Sequence, residues 1–332
     1  MRLVNIDFLR PLIILLIVVN HVFAIYAGVW ESPWENAENI EMYEWIQRFA
    51  ICCSLQLFTF ISGYIYAFQV KRAGIQSFKQ LIFKKTHRLL IPYVFFGTLY
   101  YFLIGSDGNY SVDSLFQQLL HGKSHLWFLL MLFWCFVIHW IIISLMHRKG
   151  YKKIYLVILL PLFCHFISPI VTDFLCLKQA FMYYVFFYFG FFSFDMLKSN
   201  IRVTLLLTIS YMFLFVIFYY YVDHRSTIGM YPLYKIIELI TKLGGVFCFM
   251  SLANIFTQTQ NRLSKQYLSL ASMSFGIYIY HQFVIQIIYY KTNIPEIFGV
   301  YWTPIVCIII TIFTSILLTV VSKKLPVVNN II

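Results

Sequence analysis

The sequence predicts an all-α fold: a polytopic membrane helix bundle of about ten transmembrane helices with cytoplasmic N- and C-termini. Three observations predict it. Of 332 residues, 61% are hydrophobic and 11% charged, against about 25% charged in soluble domains. Apolar windows of about 20 residues recur along the whole chain. Basic residues cluster in every second connection, the pattern of loops held on the cytoplasmic side.

The spans are expected at 8–28, 45–68, 89–104, 125–146, 154–170, 179–195, 203–222, 231–254, 269–290 and 301–321. The first has a basic start, but its apolar run exceeds a signal-peptide core and IYAG is a weak cleavage site, so it reads as a retained span. With the N-terminus inside, the inner segments hold Arg2, the run KRAGIQSFKQLIFKKTHR, HRKGYKK, Lys198, Arg202, Arg262, Lys265, Lys323 and Lys324. The outer ones hold Lys123, Lys178, Arg225 and Lys291, and ESPWENAENIEMYEW carries five glutamates and no Lys or Arg. One span more or fewer would invert half of these loops. The run Lys71 to Arg88 has helical spacing of Ile75, Phe78, Ile82 and Phe83 and suits an amphipathic helix on anionic headgroups. The whole of 1–332 reads as a single integral membrane domain with no appended soluble domain.

The net charge of +12 is spread over these clusters, which excludes a nucleic-acid surface. Seven cysteines are scattered, mostly within apolar spans and with no CxxC, so they read as small buried hydrophobes and no metal site is expected.

Against this background a few polar residues stand out. IDFLRPLIILLIVVNHVFAIY brackets an apolar run with Arg10 and His21. Their spacing of eleven residues comes to about 1100°, near three full turns and about 16 Å of rise, so both sit on one helix face. Intramembrane ionisable groups are functional candidates by default. In SFGIYIYHQF, Ser274, Tyr278 and His281 share a face; a satisfied interhelical histidine is the plainer reading. His125 and Trp127 open the fourth span, where a solvated histidine and an interfacial aromatic would look the same. Ser62, Gly63 and Tyr64 read as close helix packing. Lys84, Lys85 and Arg88 precede Pro92 and Tyr93 and suit a positive-inside anchor. Lys235, Glu238 and Lys242 share one face of the eighth span, either bracing the bundle or lining a cavity.

In order, these residues resemble the membrane acyltransferase-3 family. The resemblance rests on Asp7-x-x-Arg10 with Arg10-x10-His21, Ser62-Gly63-Tyr64, the basic loop ending Arg88-x-x-x-Pro92-Tyr93, His125-Leu-Trp127, and Ser274-x-Gly276-Ile-Tyr278-x-x-His281. It covers residues from about 5 to 290. Many members have Arg-x-x-Arg in the loop where this chain has Lys85 and Arg88, and lysine lacks the bidentate fork for phosphate.

The resemblance implies an O-acyltransferase that moves an acyl group, usually acetyl from cytoplasmic acetyl-CoA, to a sugar hydroxyl at or beyond the outer face. It implies that Arg10, Lys84, Lys85 and Arg88 meet the CoA phosphates, with Asp7 orienting Arg10. His21 would act as base or acyl carrier, and His281 and His125 would orient it or contact the acceptor. The implied acceptor is an exopolysaccharide, O-antigen or related envelope glycan, or a lipid-linked precursor, in a bacterial plasma membrane. Polysaccharide synthesis or export machinery is the implied protein partner. From the residues alone, a transporter or flippase for a lipid-linked sugar or small solute is the alternative, since charged intramembrane sets also line transport paths. The lack of an internal repeat weighs against it. A sensor or assembly partner with decayed catalysis is a third reading, against which the intact Arg10 and His21 speak.

Overall fold

The computed structural model describes residues 3–34, 40–104, 110–122, 124–149, 154–194, 200–221, 230–259 and 263–329. Of the charges that set the orientation, Arg2, Lys123, Lys152, Lys153, Lys198, Arg225, Arg262, Glu35 and Glu38 lie outside them. The described residues form helices and connections only, as the composition predicts.

In chain order the helices are α1 (Val4–Val22), α2 (Glu41–Ala73), α3 (Phe78–Lys85), α4 (Ile91–Leu103), α5 (Val112–His121), α6 (Trp127–Lys149), α7 (Ile154–Ile167), α8 (Leu177–Phe192), α9 (Ile201–Tyr221), α10 (Tyr231–Thr259), α11 (Lys265–Lys291), α12 (Ile294–Ser322) and α13 (Pro326–Asn329). Each of the ten predicted spans falls on a helix. Eight helical stretches are long and apolar enough to cross a bilayer. The third and fifth spans are shorter. Pro161 lies within α7, and a 3-10 turn at Ser168–Ile170 follows it in that pass. The third span gains its length on the inner side instead. There α3 runs into α4 through a π-helical turn at Thr86–Leu90, in which the Ile91 N–H reaches back to Thr86 O. Pro92 has no N–H to donate to that turn, and the wider turn accommodates it.

The helices gather into two compact units. The first holds residues 1–58 and 197–322, and the second 59–196 and 323–332. In the first, α1 packs against α10, α11 and α12, while α9 packs on α10 and α11 on α12. Amide pairs tie α1 down at both ends: Asn5 Nδ2 donates to Asn254 Oδ1 at 2.8 Å, and Gln47 Nε2 to Asn20 Oδ1 at 2.9 Å. In hydrocarbon such groups must find partners within the protein. Aromatic rings fill the space between α2, α9 and α10, where Trp45 stacks on Tyr219 with centroids 3.6 Å apart.

In the second unit α6 and α7 pack on α8. Small residues set the closest approach. A Cβ on Gly63 of α2 would overlap the Phe187 carbonyl oxygen of α8, and one on Gly190 would overlap the Phe60 carbonyl oxygen. The two glycines therefore form a reciprocal contact in which backbone meets backbone. The short helix α5 was not anticipated. Ser111 caps it by accepting from Ser114 N–H, and Gly122 ends it in the left-handed region with φ +61°. It folds back along α4, where Gln118 Nε2 donates to Gly97 O at 3.2 Å and the Tyr93 hydroxyl donates to Leu119 O.

Candidate active site

The first helix presents both residues of the eleven-residue spacing. Near its start, Arg10 Nη1 donates to Asp7 Oδ1 at 3.2 Å, one turn away. Asp7 is buried and Arg10 half-buried. Pro11 sits inside the helix and withholds the N–H that would have reached the Asp7 carbonyl.

His21 lies in the last turn of α1, with Nδ1 2.9 Å from Ile17 O. A carbonyl oxygen only accepts, so Nδ1 carries the proton, and Nε2 of the neutral ring keeps its lone pair. His281 of α11 meets this ring edge-on with centroids 5.0 Å apart. It is fully buried, and its own Nδ1 lies 2.6 Å from Tyr278 O, which fixes the same tautomer. Tyr278 lines the same face, its ring 5.8 Å from that of His281.

Helices α1 and α11 rise side by side. The Tyr267 hydroxyl donates to Phe8 O at 2.6 Å near their starts, and the Tyr289 hydroxyl to Val22 O at 2.9 Å near their far ends. The histidine pair sits at the upper end of this seam. Ser274 lies about 10 Å below His281 along α11, between the levels of Arg10 and His21. It is buried, and its Oγ has no hydrogen-bond partner among the described residues.

Beyond α1 the chain turns back over the histidines. Gly28 N–H bonds to Ile25 O and Val29 N–H to Ala24 O, a Schellman closure with Gly28 at φ +63°. This places the Trp30 ring 5.7 Å from that of His21. Sequence reading missed this contact; the left-handed glycine in IYAGVW was the local sign of a reversal.

The charged set on α10 forms as its spacing predicts. Lys235 Nζ lies 2.8 Å from Glu238 Oε2 and Lys242 Nζ 2.6 Å from Oε1, all three groups largely buried. One carboxylate thus answers two ammonium groups within a single helix face.

The remaining candidates belong to the second unit. Ser62 and Tyr64 flank Gly63 at the α2–α8 contact, and the Tyr64 ring lies 4.8 Å from that of Phe194. His125 is buried beside Tyr100, with ring centroids 5.6 Å apart, and Trp127 opens α6 with its ring 5.7 Å from Tyr183. The basic stretch divides in two. Lys84 and Arg88 are exposed, whereas Lys85 turns inward and sets its ammonium 3.4 Å from the centre of the Phe136 ring. The phase of α3 decides this, since Leu81, Lys85 and Leu89 recur every fourth residue on the buried side. The structure therefore brings His21, His281, Tyr278 and Ser274 together, and places His125 and the basic stretch in the other unit. Among the described residues no three His, Cys, Asp or Glu side chains converge at metal-ligand spacing.

No curated protein and no solved structure matches the chain. A family model described as an acyltransferase domain, that of the acyltransferase-3 family, matches residues 3–323 and so runs through both units. A match of that extent, on a chain with eight long apolar helices, leaves the transporter reading without support. The chain belongs to the acyltransferase-3 family and is a multi-pass membrane acyltransferase.

Proposed function

We propose that this chain transfers an acyl group, acetyl in the first instance, from cytoplasmic acyl-CoA to a sugar hydroxyl. The acceptor is a polysaccharide of the cell envelope or exterior, or its lipid-linked precursor, and the chain works in a bacterial plasma membrane with both termini cytoplasmic. The observation that carries this reading is the state of His21. Its Nδ1–H is committed to Ile17 O, and Nε2 is left as an acceptor three turns along the same face from Arg10.

The chemistry follows from that geometry. His21 Nε2 takes the proton of the attacking hydroxyl, whose oxygen bonds to the thioester carbonyl carbon. The carbon–sulfur bond breaks, the thiolate recovers the proton from the imidazolium, and an ester and CoA result. The tautomer lock matters because a ring free to present Nδ1 would lose the acceptor position. His281, edge-on to His21, holds that ring in place. Arg10, oriented by Asp7, offers its remaining guanidinium N–H groups to phosphate. Lys84 and Arg88 are exposed cations of the same chemistry on the second unit. Lys85 is the weakest member of the donor set, because its charge faces Phe136. His125 and Trp127 stay as acceptor candidates, and partnership with polysaccharide synthesis or export machinery belongs to the same proposal.

The test is acetyl-CoA binding and CoA release by the purified protein in lipid nanodiscs. Saturable binding with slow CoA release supports the reading. No binding at millimolar acetyl-CoA removes acetyl-CoA as the donor.

A further inference from the structure

We propose that the Trp30 indole is the platform on which the acceptor pyranose ring lies, with one of its hydroxyls presented to His21 Nε2. This rests on the acyltransferase reading above and adds to it the residue that selects the acceptor.

Three observations converge on Trp30. Its ring stands 5.7 Å from His21 and is tilted by 42° to it, so the indole borders the imidazole. The segment that carries it is held at both ends. On one side the Gly28 closure fixes the chain direction, and on the other the Tyr290 hydroxyl donates to Glu31 O at 2.7 Å. Trp30 is also only half-buried, whereas His281 on another side of His21 is fully enclosed. A partly exposed indole therefore borders His21 on one side.

An aromatic residue at a membrane boundary normally faces the headgroups and needs no ligand. Trp30 departs from that pattern because it is turned back upon the histidine. The chemistry it offers suits a sugar. One face of a pyranose carries a patch of C–H bonds, while its hydroxyls project around the rim. An indole takes the C–H patch by dispersion and by the negative potential of its π-face, and leaves the rim hydroxyls free. Sites that orient small polar molecules combine such apolar walls with a few polar groups in this way. A fixed platform also spares the ordering cost that a mobile loop would incur on binding.

Nanodisc protein supplied with acetyl-CoA and either methyl hexopyranosides or glycerol tests the proposal. Glycerol has the hydroxyls of a sugar but no ring face. The wild type is expected to acetylate the pyranosides in preference to glycerol. Trp30→Ala and the bulkier Trp30→Leu are expected to lose that preference by about tenfold through a raised pyranoside KM. Trp30→Phe keeps an aromatic face and should retain most of it, and the KM for acetyl-CoA should stay unchanged in all three. An unchanged preference in Trp30→Ala or Trp30→Leu overturns the platform, as does a wild type without preference. CoA release in the presence of either acceptor, read in the same samples, separates the two levels. Its absence from the wild type sinks the acyltransferase reading, whereas its presence beside an unchanged preference sinks the platform alone.

Discussion

On the proposed reading, Arg10 divides its work between fold and ligand. One of its N–H groups goes to Asp7 at 3.2 Å, and the half-buried guanidinium has others that the proposal assigns to a CoA phosphate. Arg10→Ala is therefore expected to weaken acetyl-CoA binding by about 2 kcal/mol, or roughly 30-fold. Isothermal titration on the nanodisc protein reads this directly, and an unchanged Kd would remove Arg10 from the donor site. Lys85 presents the opposite case, its ammonium turned onto the Phe136 ring and not toward solvent. That Arg10 and His21 share a face was legible from spacing alone. The inward turn of Lys85 was not, because a basic run gives no sign of which lysine follows the buried phase of its helix. Trp30 was illegible for a related reason: its contact with His21 depends on a chain reversal beyond the reach of helical periodicity.

The elements owe their positions to small residues and to prolines. Gly63 and Gly190 let α2 and α8 touch through their backbones, which Ser62-Gly63 foreshadowed in the sequence. Gly63→Ala should destabilise the protein by about 1–3 kcal/mol, the usual cost of forcing atoms into a filled contact. Gly244→Ala is the control, because a Cβ there meets only the Leu214 and Tyr211 side chains, at 3.6 and 3.9 Å. Thermal unfolding of both variants in one detergent tests the claim, and equal midpoints would contradict it. The α11–α12 contact works in the same manner, since a Cβ on Gly276 would overlap Thr319. Helix boundaries were less legible than helix existence. The π-helical turn ahead of Pro92 extends the third pass inward, and α5 hid within a connection because ten residues are too few for a membrane window.

At the scale of the whole molecule, two compact units share one family domain, and the residues read as its site divide between them. The first unit holds the α1–α11 seam, with Arg10 and Asp7 at one end, Ser274 between, and His21, His281 and Trp30 at the other. On the proposed reading the acyl donor is gripped at one end and worked upon at the other, so binding and chemistry should be separable by substitution. The most direct test of this division uses wild type and His21→Ala in nanodiscs, measuring acetyl-CoA affinity and acetyl transfer on the same samples. The account predicts that His21→Ala binds acetyl-CoA with nearly wild-type affinity and loses transfer by at least about a hundredfold, the scale of a general base. Transfer that survives the substitution, or affinity that falls with it in a folded protein, would contradict the account.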